Sequence, residues 1–247
     1  MEEKVIICKD LTKKFGDFVA VDNINLEVNK AEIFGFLGAN GAGKTTAMRM
    51  LCGLSFPSFG EATVAGFNVY RQQQQIKRNI GYMSQKFSLY EDLTIVENIR
   101  FYGGVYGVPD AIIKSRSNEL VEKLGLQQEA KKKTGALPLG WKQKLAFSVA
   151  IFHQPKIVFL DEPTGGVDPV TRRQFWDMIY AAAAAGITIF VTTHYMDEAE
   201  YCNRIAIMVD GRIEALDSPA QLKTQFGANS IDDVFYQLAR GAKRAAG

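Results

Sequence analysis

The sequence has few of the features that mark secreted, metal-binding or membrane-spanning proteins. Its three cysteines, Cys8, Cys52 and Cys202, are too far apart for the short spacings of zinc sites or redox pairs. No uncharged apolar run approaches the roughly 20 residues of a membrane-spanning helix, and the polar start at residues 1–4 lacks the composition of a signal peptide. We therefore expect reduced structural cysteines, a cytosolic chain and a peripheral position for any role at a membrane.

An excess of charge of one sign is also missing. Lys and Arg total 29 and Asp and Glu total 27, which gives a net charge of +2. This charge is too small to create a field that attracts nucleic acid in general, so we predict no nucleic-acid partner. The composition is globular, with 47% hydrophobic and 23% charged residues, and the length suits one large domain or a core with a subdomain.

Short apolar runs bounded by turn residues divide the chain into predicted strands and helices. Strands are predicted at residues 5–8, 24–28, 33–37, 157–160, 187–191 and 205–209, and helices at about 43–51 and 172–185. Because the helix at 172–185 separates two β-branched strands, this pattern predicts a parallel sheet covered by helices. Asp210-Gly211 predicts a hairpin turn, and Ser218-Pro219 predicts a helix start. From about residue 90 to residue 152, helical segments without buried strands between them predict a helical subdomain.

One glycine-rich segment has the spacing of a phosphate-binding loop, G-x-x-x-x-G-K-[ST]. It reads Gly38-Ala39-Asn40-Gly41-Ala42-Gly43-Lys44-Thr45-Thr46, and it follows a predicted strand and opens a predicted helix. Glycines let successive backbone N–H groups face phosphate oxygens, and the helix N-terminus adds partial positive charge. We expect Lys44 to reach the β- and γ-phosphates and Thr45 to give its hydroxyl to Mg²⁺. The alternative, an ordinary glycine-rich turn, leaves the Lys and Thr in register unexplained.

Two carboxylates follow the apolar strand predicted at residues 157–160. They are Asp161 and Glu162, and they lie at the carboxyl end of a strand, where α/β sheets bind ligands. We expect Asp161 to hold Mg²⁺ through a bound water, and Glu162 to orient or deprotonate the attacking water. The alternative is a polar strand end with no catalytic role.

With further motifs in the same order, these elements resemble the ABC ATPase family over essentially the whole chain. By this resemblance, Phe15 stacks on adenine, although packing in the core would also explain an aromatic residue there. Gln85 matches the glutamine that touches Mg²⁺ and water and links the site to a permease. Asp168 matches the residue that crosses the dimer interface, in a loop where Gly165 replaces a more usual small polar residue.

The chain has two histidines, to which the resemblance gives different roles. His194 follows a predicted strand and matches the histidine that contacts the γ-phosphate and steadies the catalytic geometry. A histidine satisfied within the core is the alternative for His194. His153 is expected to be structural.

The family's signature loop, Leu-Ser-Gly-Gly-Gln, is altered in this chain. The matching residues are Leu137, Pro138, Leu139, Gly140 and Trp141. By resemblance, this loop opens a helix that clamps the ATP held by the opposite subunit. Pro138 offers neither a hydroxyl nor an N–H group, whereas Leu139 and Gly140 keep their backbone donors. Because one hydrogen bond to a charged group contributes about 1.5–3 kcal/mol, a weakened clamp and a disabled one both stay open.

The resemblance implies one ABC ATPase domain over residues 1–247, with ATP and Mg²⁺ as its cofactors. Its α/β fold would be a P-loop NTPase core of the RecA type, with a parallel sheet, an antiparallel β subdomain and an inserted helical subdomain. The core with its β subdomain is expected at 1–88 and 153–217, the helical subdomain at 89–152 and a helical tail at 218–247.

The function implied is an ATP-hydrolysing subunit that drives a separate membrane permease of the ABC-2 kind, for multidrug-like export. Such a subunit would lie at the cytoplasmic face of the cell membrane, as a homodimer or as a heterodimer with another ABC ATPase. The subfamily rests on motif spacing, the tail at 231–235 and the altered signature, which resembles the second ATPase half of some two-ATPase exporters. Two alternatives are a soluble ABC ATPase acting on ribosomes or DNA and a regulatory subunit with a degenerate signature.

A permease would need a docking surface on this chain. Aromatic and apolar residues cluster after Gln85 in the region where the family receives its permease, and they are Phe87, Leu89, Tyr90, Phe101, Tyr102 and Tyr106. Packing in the core would explain most of them equally well, so we expect two or three to be exposed.

Overall fold

The computed structural model describes residues 3–85 and 89–241. Its strands are β1 (Lys4–Phe15), β2 (Phe18–Asn29), β3 (Ile33–Leu37), β4 (Phe59–Val64), β5 (Phe67–Asn68), β6 (Ile80–Met83), β7 (Ile157–Asp161), β8 (Thr188–Thr193), β9 (Arg204–Val209) and β10 (Arg212–Asp217). Its α-helices are α1 (Lys44–Leu51), α2 (Gln73–Asn79), α3 (Ile95–Val105), α4 (Asp110–Lys123), α5 (Leu139–Ala150), α6 (Pro169–Ala184), α7 (Pro219–Phe226) and α8 (Ile231–Gly241). Two short 3₁₀ segments lie at Thr134–Ala136 and Met196–Tyr201.

A mostly parallel sheet forms the centre of the fold, with the strand order β10-β9-β3-β8-β7-β6. The pairs from β9 to β6 are parallel, and β10 joins β9 as an antiparallel edge. The side chains of β3 alternate between two apolar cores: Ile33 and Leu37 pack in one, Phe34 and Phe36 in the other. Burial on both faces explains why this strand is a continuous apolar run.

A second sheet, of antiparallel strands, has the order β2-β1-β4-β5. Strands β1 and β2 are longer than predicted because the register shifts between Cys8 and Leu11 interrupt the apolar alternation. At that irregularity Asp10 has a φ of 50°, and its N–H donates to Asn25 Oδ1 at 3.0 Å. The predicted α/β class, with a parallel sheet and an antiparallel β subdomain, is confirmed.

Helices α3, α4 and α5 follow one another between β6 and β7. Thr94 caps α3 in a capping box, in which its side chain accepts from the Glu97 N–H and the Glu97 carboxylate accepts from the Thr94 N–H. The fully buried Asn98 fixes the preceding loop, since its Nδ2 donates to Tyr90 O at 2.9 Å. The proposed division of the chain at residues 88, 152 and 217 stays a prediction.

Cys8, Cys52 and Cys202 are buried free thiols. Burial raises the pKa of Cys8 to about 12, which keeps its thiol protonated near neutral pH. Over the described ranges, no helix combines the length and the apolar character needed to cross a membrane.

Candidate active site

Four neighbouring parallel strands end at the same edge of the central sheet, and each is followed by a predicted site residue. The phosphate loop follows β3, His194 follows β8, Glu162 follows β7 and Gln85 follows β6. Because the carboxyl ends of parallel strands share one edge, residues far apart in sequence meet there. The sheet order therefore brings Lys44, Gln85, Glu162 and His194 together.

Lys44 begins α1 and lies inside the phosphate loop. Its Nζ donates to Gly38 O at 2.8 Å and to Ala39 O at 3.1 Å, and it lies 3.7 Å from Glu162 Oε1. Burial lowers the pKa of Lys44, while Glu162 and Asp161 act in the opposite direction. The loop thus holds a cation where phosphate oxygens would bind.

Gly43 shows why this loop needs glycine. Its φ of 105° lies in the left-handed region, and a Cβ at this position would come within 2.4 Å of Ala20 O. An L-residue would therefore be both strained and in collision with the backbone of β2.

Asp161 and Thr45 form the oxygen-rich side of the site. Asp161 Oδ1 accepts from Thr45 Oγ1 at 3.1 Å and from Thr192 Oγ1 at 2.7 Å. Hydroxyl and carboxylate oxygens suit Mg²⁺, which usually keeps waters and substrate phosphates as its other ligands. Residues 3–85 and 89–241 contain no group of three or more His, Cys, Asp or Glu that could hold a metal without such help.

Glu162 is held from several directions. Its φ of 47° is unusual for a residue with a side chain, and its N–H donates to Thr192 O and Thr192 Oγ1, both at 3.1 Å. Its Oε2 accepts from Gln85 Nε2 at 2.9 Å and lies 3.0 Å from His194 Nδ1. In the tautomer of His194 that carries its proton on Nδ1, this nitrogen can donate to Glu162 Oε2. Contacts with Gln85 and His194 therefore fix the orientation of the Glu162 carboxylate.

The phosphate loop opens into a cleft of about 300 Å³. Its lining residues are Phe18, Ala20, Asn40, Gly41, Gly43, Lys44, Thr45, Thr46, Gln85 and Glu162. Phe15 does not line this cleft: it is 56% exposed, and Lys13 Nζ lies 5.0 Å from its ring centroid. Its cross-strand partner Phe18 does line it. The sequence analysis missed Phe18, which an aromatic pair flanking the Gly16-Asp17 turn could have suggested, and the adenine-stacking role of Phe15 stays a prediction.

The altered signature lies at the start of α5. Leu137 is buried, Pro138 is the N-cap residue with no side-chain cap, and Leu139 is 45% exposed. A Cβ on Gly140 would come within 2.5 Å of Thr171 Cγ2, so this glycine allows α5 to approach α6. Trp141 is half-buried, with Lys144 Nζ 4.8 Å from its ring centroid.

The signature segment lines a separate cleft of about 350 Å³, together with residues 166–168. The linings of the two clefts have no residue in common within the described ranges. Asp168 lies in this second cleft and caps α6, since its Oδ1 accepts from the N–H groups of Val170 and Thr171, both at 3.0 Å. The Thr171 hydroxyl and these backbone bonds lower the pKa of Asp168. Within one chain, therefore, the signature does not complete the phosphate site.

Of the residues predicted to receive a permease, Tyr90 and Phe101 are exposed, Tyr102 and Tyr106 are half-buried and Leu89 is buried. Phe87 lies outside the described residues. The rings of Tyr90, Phe101 and Tyr102 form an aromatic cluster, with centroids 5.0 Å apart for Tyr90 and Phe101 and 5.3 Å apart for Phe101 and Tyr102.

Comparison with known protein families and proteins agrees with this geometry. The model of the family described as ABC transporter matches residues 21–165, which is more than half of the chain. The Escherichia coli (strain K12) protein named "Probable multidrug ABC transporter ATP-binding protein YbhF" is 48% identical over 241 residues, covering 96% of this chain. This chain spans 42% of that relative's length.

This chain covers a larger share of a second relative. The "Linearmycin resistance ATP-binding protein LnrL" of Bacillus subtilis (strain 168) is 34% identical, with 90% of this chain and 72% of the relative covered. Among solved structures, an ATP-binding subunit of an ABC transporter superimposes with a TM-score of 0.86 at 26% identity, over 95% of this chain and 99% of that one.

Proposed function

We propose that this chain, which belongs to the ABC transporter family, is an ATP-binding subunit that hydrolyses ATP and powers an exporter by working as a dimer beneath a separate permease. The observation that carries the proposal is the position of the Glu162 carboxylate, 3.7 Å from Lys44 and in contact with Gln85 and His194. A base beside a phosphate-binding lysine is what in-line attack of water on a γ-phosphate requires.

Each of these side chains has a proposed part in hydrolysis. The phosphate loop, residues 38–46, binds the phosphates through its N–H groups and Lys44. Glu162 orients the attacking water and takes its proton, while His194 keeps Glu162 in place and faces the γ-phosphate. Thr45, Asp161 and Gln85 would hold Mg²⁺, which offsets phosphate charge when bound.

Dimerisation is supported by the separation of the two clefts. A signature segment that does not line its own chain's phosphate cleft can serve a nucleotide only if it comes from another subunit. Asp168 lies in the cleft of the signature segment, where a second chain would meet it. We propose that two ATPase subunits pack head to tail, so that each nucleotide lies between one phosphate loop and one opposite signature. The second subunit is either another copy of this chain or a different ABC ATPase.

The permease and the direction of transport rest on two further observations. In the aromatic cluster of Tyr90, Phe101 and Tyr102, which follows Gln85 in the sequence, Tyr90 and Phe101 are exposed, and aromatic residues are enriched in the centres of protein interfaces. The names of the two relatives refer to multidrug transport and to linearmycin resistance. We therefore propose peripheral attachment to the cytoplasmic face of a membrane, on a permease of the ABC-2 kind that exports drug-like compounds.

Glu162→Gln tests the proposed role of Glu162 as the residue that activates water. The amide keeps the shape of the site and leaves the phosphate loop intact, but it cannot accept the proton of water. We expect the hydrolysis rate to fall at least about 100-fold, ATP affinity to stay within about 3-fold, and a dimer to accumulate with ATP. Steady-state hydrolysis, calorimetry and gel filtration with ATP measure these three results.

The matched control is Glu214→Gln, an exposed glutamate on β10, which should hydrolyse ATP at the parent rate. Hydrolysis by Glu162→Gln at the parent rate would remove Glu162 from its proposed role. A variant that is inactive but elutes as a monomer with ATP would contradict the dimer.

A further inference from the structure

Glu198 is a fully buried carboxylate outside the residues proposed to contact ATP. It lies on the 3₁₀ segment that follows His194, and its Oε1 accepts from Thr164 Oγ1 at 2.5 Å. Thr164 is also fully buried and comes two residues after Glu162. One hydrogen bond thus joins the loop after β7 to the segment after β8.

Arg172 is the third member of this cluster. Its Nε lies 3.7 Å from Glu198 Oε1, and its guanidinium lies 4.2 Å from the ring centroid of Tyr195, the residue after His194. The N–H of Arg172 donates to Asp168 O at 2.9 Å, in the first turn of α6. Arg172 therefore connects the start of α6 with both Glu198 and the His194 segment.

Stability alone gives a poor account of this cluster. An ion pair with a fully buried carboxylate such as Glu198 is weak support for a fold because desolvation opposes the charge attraction, and the partly exposed Arg172 also pairs with Asp197, whose Oδ2 lies 3.6 Å from its Nη1. Within the part of the chain that the structure describes, Glu198 Oε2 and Arg172 Nε also have no hydrogen-bond partner. A polar cluster that is incompletely satisfied but lies between two catalytic segments is better explained by a role in positioning them.

We propose that Glu198 is a positioning residue for ATP hydrolysis, which acts by holding Thr164 and Arg172. This inference rests on the proposed roles of Glu162 and His194. Those two side chains approach to 3.0 Å, but they extend from separate segments beyond the ends of β7 and β8. The bond from Thr164 to Glu198 ties these segments together just past Glu162, where a displacement of 1 Å can reduce a catalytic rate by about 100-fold.

Thr164→Val removes the hydroxyl while preserving the shape of the side chain. In steady-state hydrolysis of Mg-ATP by the full chain, we expect kcat to fall at least about 10-fold and KM to stay within about 2-fold. Thr164→Ser restores the hydroxyl and should return kcat to within about 3-fold of the parent. If the valine variant does not fold, Thr164→Ala takes its place, because it removes the same hydroxyl without adding a methyl group.

Thr188→Val is the matched control. Thr188 is also fully buried, and its Oγ1 accepts from the Ala31 N–H at 2.9 Å at the far end of β8. This variant loses a comparable hydrogen bond. If the effect were a general loss of stability, Thr164→Val and Thr188→Val would both lose activity. We expect kcat to fall only in Thr164→Val. Melting temperatures measured in parallel show whether the two losses of stability match.

The proposal is overturned if Thr164→Val keeps kcat within about 2-fold of the parent, if Thr164→Ser does not recover it, or if Thr188→Val falls equally. Glu162→Gln in the same assay separates this failure from failure of the proposed function. If Glu162→Gln is inactive while Thr164→Val is fully active, the positioning role of Glu198 is rejected and the proposed function is not. A fully active Glu162→Gln rejects the assignment of Glu162 on which the inference rests.

Discussion

The ammonium of Lys44 bonds to two carbonyl oxygens of its own loop, at 2.8 and 3.1 Å. We propose that backbone N–H groups of the same loop bind phosphate, so Lys44 is held by carbonyl groups of the segment that would surround the ligand. A cation held this way reaches phosphate oxygens with little reorganisation, which favours tight binding.

We therefore predict that Lys44→Ala weakens ATP binding by about 10- to 100-fold, because a hydrogen bond to a charged group contributes about 1.5–3 kcal/mol. Calorimetry with ATP and Mg²⁺ measures the dissociation constant. The control is Lys9→Ala, an exposed lysine on β1. An equal dissociation constant in Lys44→Ala and the parent would contradict the assignment of the phosphate loop.

Single residues also show what the sequence could and could not predict. The spacing from Gly38 to Thr46 and the pair Asp161-Glu162 are local patterns, so their place at strand ends could be predicted directly. The contact between Thr164 and Glu198 joins residues 34 apart in sequence, so no local sequence pattern predicts it. Phe18 was missed for a similar reason, since its position in the cleft depends on how the β1–β2 hairpin approaches the phosphate loop.

At the scale of elements, helix α5 begins without a side-chain cap. Its N-cap residue, Pro138, has a φ of −57°, and the residues of its first turn, Leu139 and Gly140, line the cleft of the signature segment. In a homodimer, both nucleotides would face Pro138 and would depend on the donors of Leu139 and Gly140 and on the helix dipole. For a homodimer we therefore expect slow but measurable hydrolysis.

Pro138→Ser should raise the ATPase rate of a homodimer by up to about 10-fold, if the hydroxyl restores a transition-state hydrogen bond of about 1.4 kcal/mol. Serine is also a favourable N-cap, so the melting temperature should rise slightly. Steady-state hydrolysis of Pro138→Ser, and of the same change combined with Leu139→Gly, measures the effect.

If neither variant exceeds the parent rate, the altered loop is a working alternative to the usual signature. The hypothesis of a regulatory subunit that binds ATP without hydrolysing it predicts a different result. In that case the parent is inactive and Pro138→Ser gains activity.

Among the elements, those with strong local patterns matched the sequence prediction best. Strand β3 lies at the predicted residues 33–37, and Ser218 caps α7 at the predicted start. By contrast, β4 and β5 were not located, since short strands of an antiparallel sheet depend on partners distant in sequence. Strand β6 is only four residues long, which leaves little periodicity to detect.

At the scale of the whole molecule, His153 lies where helices α3 to α5 meet the central sheet. Its Nε2 lies 3.1 Å from Ile80 O on β6, and its ring stacks on Tyr106, just after α3, with centroids 3.8 Å apart. Burial lowers the pKa of His153 to about 4, although the contact with Ile80 O opposes this shift. The folded protein therefore keeps this imidazole neutral at pH values where the unfolded chain protonates it.

We predict that this histidine makes the fold sensitive to acid. Its contribution is complete above the unfolded pKa of 6.5 and is lost as the pH falls toward about 4, because the unfolded chain then binds the extra proton. Melting temperatures from pH 7.5 to pH 4.5 should fall less steeply for His153→Gln than for the parent. Parallel curves for the two proteins would contradict the prediction.

The pairing of β3 also sets the order in which this protein acquires its activity during synthesis. Strand β3 and the phosphate loop are made before β8 and β9, with which β3 pairs and which begin at Thr188 and Arg204. Until those strands emerge, the segment before the loop lacks its neighbours in the sheet, and contacts of such long sequence separation form late in folding. A growing chain therefore carries its phosphate loop through the synthesis of every residue between β3 and β8 before the sheet that supports this loop can form.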